Sequence, residues 1–233
     1  QGGACVQRAE GSQQGQGQGL AGQGLAAHRV YNVHVDKSSG SSIARKALRQ
    51  QLLALRSDMA QAGREHLDTL LCQQLLRADL LQSADNIGVY LPIRGEPDLS
   101  ACYAQWRAQG RRLALPVVTG KNDPLTFRVW DAEAPLRTAA FGVQVPDTDR
   151  TVVPDVLVIP CVGFRVLDGH PYRLGYGGGF YDRTLALPAF RTTGSVGVAY
   201  DQAETRSWAP DDWDMPLSML LTPSRCIVAM ASP

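Results

Sequence analysis

The sequence predicts an α/β fold, with a mostly parallel sheet covered by helices on both faces. Two observations predict it. Short apolar runs alternate with helical stretches from residue 43 onward. One of those runs, VLVI (Val156–Ile159), has the unbroken apolar character of a strand in the middle of a parallel sheet.

Each element has its own warrant. Leu48, Leu52 and Leu55 recur at three- and four-residue steps among Arg and Gln, as an amphipathic helix requires. A second helix is expected near Glu65 to Leu81, on Leu67, Leu70, Leu71, Leu75 and Leu76. NIGVYL (Asn86–Leu91) reads as a short buried strand closed by Pro92. A helix near Leu99–Gln109 follows, then strands at Arg112–Val118 and Leu125–Trp130. After VLVI come a helix starting at Phe180 and running to Leu187, a strand at Ser195–Tyr200 and a last strand at Met219–Thr222. No repeat of 20 to 50 residues interrupts this order.

Residues 1–42 differ in kind. They are Gln- and Gly-rich with few large apolar side chains to offset ordering entropy, and are expected to form a disordered leader. Residues 43–233 are expected to form the α/β domain, long enough to bury roughly 70% of its unfolded surface.

Composition narrows the function. The 23 basic and 22 acidic residues leave a formal net charge of +1, so a broad nucleic-acid footprint is not expected. No apolar stretch of about 18 residues suggests a membrane span. Five cysteines without a CxxC pair or zinc spacing suggest reduced thiols and a soluble, cytoplasmic protein.

The chemistry concentrates in RLGYGGGFYDR (Arg173–Arg183). Four glycines in five positions remove side chains that would keep backbone amides from a bulky anion. Arg173 and Arg183 can donate to phosphate oxygens, and Asp182 can hold magnesium through a hard carboxylate oxygen. No Gly-Lys-Ser/Thr follows, so the stretch is not a Walker A loop. On residues alone, a phosphate cradle and a plain tight turn are equally good readings.

The full string resembles the motif of the 5-formyltetrahydrofolate cyclo-ligase family. The resemblance extends in order over nearly all of residues 43 to 228. It takes in ARKALR (Ala44–Arg49), YLPIRGEPD (Tyr90–Asp98), LALPVV (Leu113–Val118) and LTFRVW (Leu125–Trp130). PDVLVIPCVGF (Pro154–Phe164), VGVAYD (Val196–Asp201) and WDMPL (Trp213–Leu217) complete it. It implies a three-layer α/β/α domain acting as a monomer. The implied reaction is conversion of 5-formyltetrahydrofolate, polyglutamylated or not, to 5,10-methenyltetrahydrofolate, with ATP going to ADP and phosphate and Mg2+ as cofactor.

The resemblance also implies roles by position. Arg173, Leu174, Gly175, Tyr176, Gly177, Gly178, Gly179, Phe180 and Tyr181 would hold ATP, together with Arg45, Lys46 and Arg49. Arg49, Leu91, Glu96 and Tyr176 to Phe180 would contact the folate. Asp182 and Asp214 would bind magnesium, and Arg173 and Asp182 would be catalytic. On residues alone, Arg45, Lys46 and Arg49 read rather as a solvated helix face, and Glu96 as an exposed turn residue beside Pro97. Asp211 and Asp212 are expected to be solvated.

The sequence departs from the family in one stretch. Arg165 stands where the family has Asp, in a connection about three residues longer, with Asp168-Gly169 expected to form the turn. His170 is expected in an exposed loop. Two rival readings remain: another enzyme on the same scaffold acting on a formylated amine or a sugar phosphate, and a binding protein without turnover.

Overall fold

A computed structural model describes residues 41–139 and 143–230, with side chains from residue 43. Strands β1 (Asn86–Gly88), β2 (Arg112–Val118), β3 (Leu125–Val129), β6 (Val156–Pro160), β9 (Gly194–Val198), β10 (Met219–Leu221) and β11 (Cys226–Val228) form a seven-stranded sheet. Its order is β11-β10-β9-β6-β1-β2-β3. The five inner strands are mutually parallel, and β3 and β11 close the edges antiparallel. Helices are α1 (Ser41–Ser57), α2 (Gln61–Arg77), α3 (Asp79–Gln82), α4 (Ser100–Ala108) and α5 (Phe180–Leu185).

Strand alternation distributes the core. Ile87, Leu113, Leu115, Val156, Val158, Val196 and Val198 face one side, packing with Leu71 and Leu75 of α2 and Trp106 of α4. Ala114, Leu157, Ile159 and Leu220 face the other, with Phe180, Tyr181 and Leu185 of α5 beside them. Each fully buried Leu, Val or Ile contributes ~1.5–3 kcal/mol. The predicted three-layer α/β/α arrangement is therefore present, with the inner strands apolar on both faces.

Two small hairpins stand outside this sheet. In one, β4 (Leu136–Thr138) pairs with β5 (Gln144–Pro146); in the other, β7 (Gly163–Leu167) pairs with β8 (His170–Leu174). The turn of the second is Asp168-Gly169, at φ 50° and 77°, as the sequence predicts. Positive φ at both central residues matches the right-handed twist of the flanking strands and suits Asp-Gly. His170 opens β8, paired with Leu167, rather than lying in a loop. The leader expected at 1–42 lies, up to residue 40, outside the described residues, and α1 begins two residues before the expected domain boundary.

The chain runs from β1 outward to β2 and β3, then returns to β6 on the other side of β1. The two directions part between the carboxyl ends of β1 and β6. Open α/β sheets bind ligands in the crevice at such a switch point.

A buried polar pair holds α2 against the sheet. Tyr200, just after β9, donates its hydroxyl to Asp68 Oδ1 at 2.7 Å, and both residues are buried. Tyr200→Phe removes one donor from that buried carboxylate, which costs about 1–3 kcal/mol. Thermal unfolding followed by circular dichroism should show a Tm lower by several degrees; an unchanged Tm would contradict the pairing.

Candidate active site

A cavity of about 430 Å³ opens at the switch point, lined by residues from both of its sides. Tyr90 and Leu91 follow β1, Leu115, Pro116 and Val118 come from β2, and Pro160 ends β6. The glycine-rich stretch, leaving β8 and entering α5, closes another wall with every residue from Arg173 to Asp182. Arg45 and Arg49 reach it from α1, Glu96 from the turn after β1, and Asp214 from the segment before β10. Of the expected site residues, Lys46 and Arg183 stay out of the lining, and Lys46 is exposed.

Helical spacing explains this split. Arg45, Leu48, Arg49, Leu52 and Arg56 share the inward face of α1, at steps of three and four, whereas Lys46 is turned away. Leu48 and Leu52 anchor that face on Val162, Leu174 and Trp208. The solvated-face reading of this helix therefore fails for its arginines and holds for its lysine.

Arg49 fastens the glycine-rich loop, its Nε donating to Gly175 O at 2.8 Å. Burial lowers its pKa, as does neighbouring Arg45, while Asp214 opposes them. An arginine nonetheless stays protonated. Gly177, at φ 96°, lies so close that a Cβ there would stand 3.2 Å from the Arg49 guanidinium carbon.

Arg173 Nη2 and Asp182 Oδ2 form a 2.7 Å ion pair, the Arg173 side chain only 6% exposed. Arg173 Nε is buried and has no hydrogen-bond partner among the described residues. Asp182 Oδ1 accepts a 3.4 Å bond from Met215 N–H. Arg45 Nη2 lies 2.9 Å from carboxylate oxygens of both Asp211 and Asp214 and donates to Ala209 O at 2.7 Å. Asp211 is thus engaged rather than solvated, while Asp212 is exposed. Asp211 N–H also donates to Asp214 Oδ2 at 2.7 Å.

Asp182 and Asp214 suit magnesium chemically. They are two hard carboxylates on one cavity, and no group of three or more His, Cys, Asp or Glu occurs among the described residues. Magnesium takes one or two carboxylates and completes its shell with water and substrate phosphates. Such a set fits a cation that arrives with a nucleotide better than a resident structural metal.

Glu96 is 4% exposed rather than a surface turn residue. Its Oε1 accepts the Tyr176 hydroxyl at 2.9 Å and its Oε2 accepts Ile93 N–H at 3.0 Å. Burial raises its pKa, against these two hydrogen bonds and the charges of Arg56 and Arg94. The Tyr176 phenol is itself pushed up to about 12, by burial first and then by Glu96. Leu91, Ile93 and Phe180 add apolar surface around this polar pair.

Sequence reasoning missed Arg94 and Trp213 in the lining, both in or beside stretches it had marked. Arg94 holds a positive φ of 49°, and its guanidinium carbon sits 5.6 Å above the Tyr176 ring. Arg183, a candidate phosphate donor, instead turns to Gly178 O at 2.8 Å, outside the cavity. Arg165 also lies outside it, on β7, bonded to the carbonyls of Trp208 and Arg206. The departure from the family pattern therefore sits in the β7–β8 hairpin and leaves the lining untouched.

Residues 41–223 match the model of the 5-formyltetrahydrofolate cyclo-ligase family. The 5-formyltetrahydrofolate cyclo-ligase of Escherichia coli (strain K12) is 36% identical over 149 residues, 61% of this chain and 80% of that protein. The Mycolicibacterium smegmatis enzyme of the same name is 31% identical over 194 residues, 78% of this chain and 95% of that protein. The solved structure of Aquifex aeolicus 5,10-methenyltetrahydrofolate synthetase superposes with a TM-score of 0.67 at 26% identity. It covers 81% of this chain and 94% of that one. With its motifs in order and its fold shared, the chain belongs to the 5-formyltetrahydrofolate cyclo-ligase family.

Proposed function

We propose that this chain is an ATP- and Mg2+-dependent 5-formyltetrahydrofolate cyclo-ligase. One observation carries the reading: a single cavity gathers the glycine-rich loop, two metal-competent carboxylates and a buried glutamate beside apolar walls. Such a cavity suits a triphosphate and a flat, hydrogen-bonding ring side by side. The comparisons support the folate as substrate through the names of the relatives.

In the proposed reaction, the formyl oxygen attacks the γ-phosphorus of ATP and the bond to ADP breaks. The folate nitrogen at position ten then attacks the activated formyl carbon. The carbon–oxygen bond breaks, phosphate leaves with both electrons, and the nitrogen loses its proton as the ring closes. Magnesium, held by Asp182 and Asp214, would neutralise charge on the phosphates.

The chain's own residues supply position and field, which dominate phosphoryl transfer. Arg45, Arg49 and Arg173 offset anionic charge at one end of the cavity. The Gly175–Gly179 backbone lets phosphate oxygens approach its amides without side-chain obstruction. Glu96 accepts N–H groups of the pterin, while Leu91 and Phe180 cover its faces. We read the protein as a monomer. No helix among the described residues is long and apolar enough to cross a membrane, and we read the protein as cytoplasmic.

The test is absorbance in the methenyltetrahydrofolate band, with protein, 5-formyltetrahydrofolate, ATP and magnesium, each omitted in turn. A rise that needs all four supports the reading. No rise from protein shown to be folded by circular dichroism overturns it in favour of a binding role or another substrate.

A further inference from the structure

A buried arginine outside the cavity lining ties the two halves of the site together. Arg56 lies on the last turn of α1 and is 5% exposed. Its Nε donates to Arg94 O at 3.1 Å, its Nη1 to Cys161 O at 3.4 Å and its Nη2 to the Tyr176 hydroxyl at 2.7 Å. One guanidinium thus joins the turn after β1, the segment after β6 and the glycine-rich loop. These segments are far apart in sequence, with Arg56 38, 105 and 120 residues from its three partners.

The direction of the bonds gives this contact chemical content. A guanidinium only donates, so the Tyr176 oxygen must accept from Arg56. The phenol proton is then directed onward to Glu96 Oε1, 2.9 Å away. Arg56 also holds the carbonyl of Arg94, whose positive φ is costly for a residue with a side chain. That turn presents Ile93 N–H to Glu96 Oε2. Both carboxylate oxygens are therefore oriented through groups that Arg56 fixes.

We infer that Arg56 is a positioning residue for the substrate side of the site: it orients the Tyr176 hydroxyl and the 93–96 turn so that Glu96 is held as an ionised acceptor for the pterin. The inference rests on the folate reading for its ligand and on the three bonds for its geometry. Arg56 itself does not line the cavity; it acts through Tyr176 and Glu96.

The groups facing Glu96 set how a loss of Arg56 reads out. They are Arg56 from α1, Arg94 on the same turn, Tyr90 after β1, Cys161 after β6, Tyr176 on the loop and Tyr181 of α5. Burial already favours the neutral acid, and Arg56 and Arg94 oppose it. Removing one of these cations moves the carboxyl's titration to higher pH. The acid limb of kcat/KM for the folate should move upward with it.

The experiment compares Arg56→Gln, Arg56→Lys and Tyr176→Phe with wild type. For Arg56→Gln, KM for 5-formyltetrahydrofolate is expected to rise about tenfold, the size of one charge-assisted hydrogen bond. KM for ATP and kcat should each change by less than about threefold, with the acid limb displaced upward. Arg56→Lys restores the charge but not the fork, so its acid limb returns while its KM recovers only in part. Tyr176→Phe should give a similar rise in KM, and the double variant should be little worse than either single one. Equal rises in both KM values with a fall in kcat would reduce Arg56 to a structural residue and overturn the inference. So would an unchanged KM for the folate. A carboxyl NMR titration of Glu96, assigned with Glu96→Gln, separates this from the function itself. Should wild type lack turnover, an upward displacement of Glu96 in Arg56→Gln still supports the coupling, and an unmoved Glu96 overturns it.

Discussion

Asp182→Asn is expected to lower kcat on the order of a thousandfold, the loss seen when a preorganised electrostatic contact to the reacting group is removed. Asp182 stands on the first turn of α5, at the exit of the glycine-rich loop, with Oδ1 engaged only weakly. As a proposed magnesium ligand it bears on the transferring phosphoryl group, where charge changes most. Its second role is structural, since Oδ2 pairs with the largely buried Arg173 at 2.7 Å. Asp182→Ala therefore removes a charge partner as well as a ligand, costing on the order of 3 kcal/mol. Asparagine keeps an oxygen for Arg173 and limits that loss, so it reports on chemistry more cleanly. Initial rates against magnesium concentration, with a melting curve for each variant, separate the two effects. Near-normal magnesium-dependent turnover in folded Asp182→Asn would remove Asp182 from the metal site.

The second large effect is expected at Gly177. At φ 96° the backbone is strained for any residue with a Cβ, and the added carbon would crowd the Arg49 guanidinium at 3.2 Å. Relief requires either the loop or Arg49 to move, and the Arg49 Nε bond to Gly175 O is the contact at risk. Gly177→Ala should thus lower kcat/KM for ATP about a hundredfold, because the proposed phosphate positioning depends on this loop. Gly177 itself is exposed, so Tm should fall by only a few degrees. An alanine variant with unchanged ATP kinetics would mean that the loop does not hold the phosphates in this conformation.

Much of the fold was legible because the inner strands are apolar on both faces. Arg112–Val118 is a strand over the predicted residues, and Val156–Ile159 gains only Pro160. The strand read at Asn86–Leu91 is shorter, ending at Gly88, because the chain already turns away before Pro92. The helix read near Glu65–Leu81 begins earlier and breaks at Ala78, where no Gly or Pro marks the interruption. The hairpin strands were unreadable for different reasons. Leu136–Thr138 is exposed throughout, so no burial pattern was imposed on its sequence. His170–Leu174 carries a proline and an arginine and reads as loop, although its turn residues were recognisable.

The site divides in the same way. The glycine-rich loop, Asp182 and Asp214 stand in compact motifs, so local pattern sufficed to single them out. Glu96 did not look buried, because the groups around it include Arg56 and Tyr176, the latter 80 residues away. Arg56 gave no signal at all: it is one of several arginines on an amphipathic helix, and its importance lies in partners that only the folded chain brings near. Asp211 read as solvent-facing for the same reason, its partner Arg45 lying at the other end of the domain sequence.

In the proposed reaction, transfer of the formyl oxygen to phosphate is the event that joins the two ligands in this one cavity. It is measured directly with 5-formyltetrahydrofolate carrying oxygen-18 in the formyl group, by mass analysis of the phosphate released with ATP and magnesium present. The predicted result is one labelled oxygen in phosphate for each methenyl product formed. Product formation with unlabelled phosphate would contradict phosphorylation of the formyl oxygen, and labelled phosphate formed equally well by Asp182→Asn would place the chemistry outside this site.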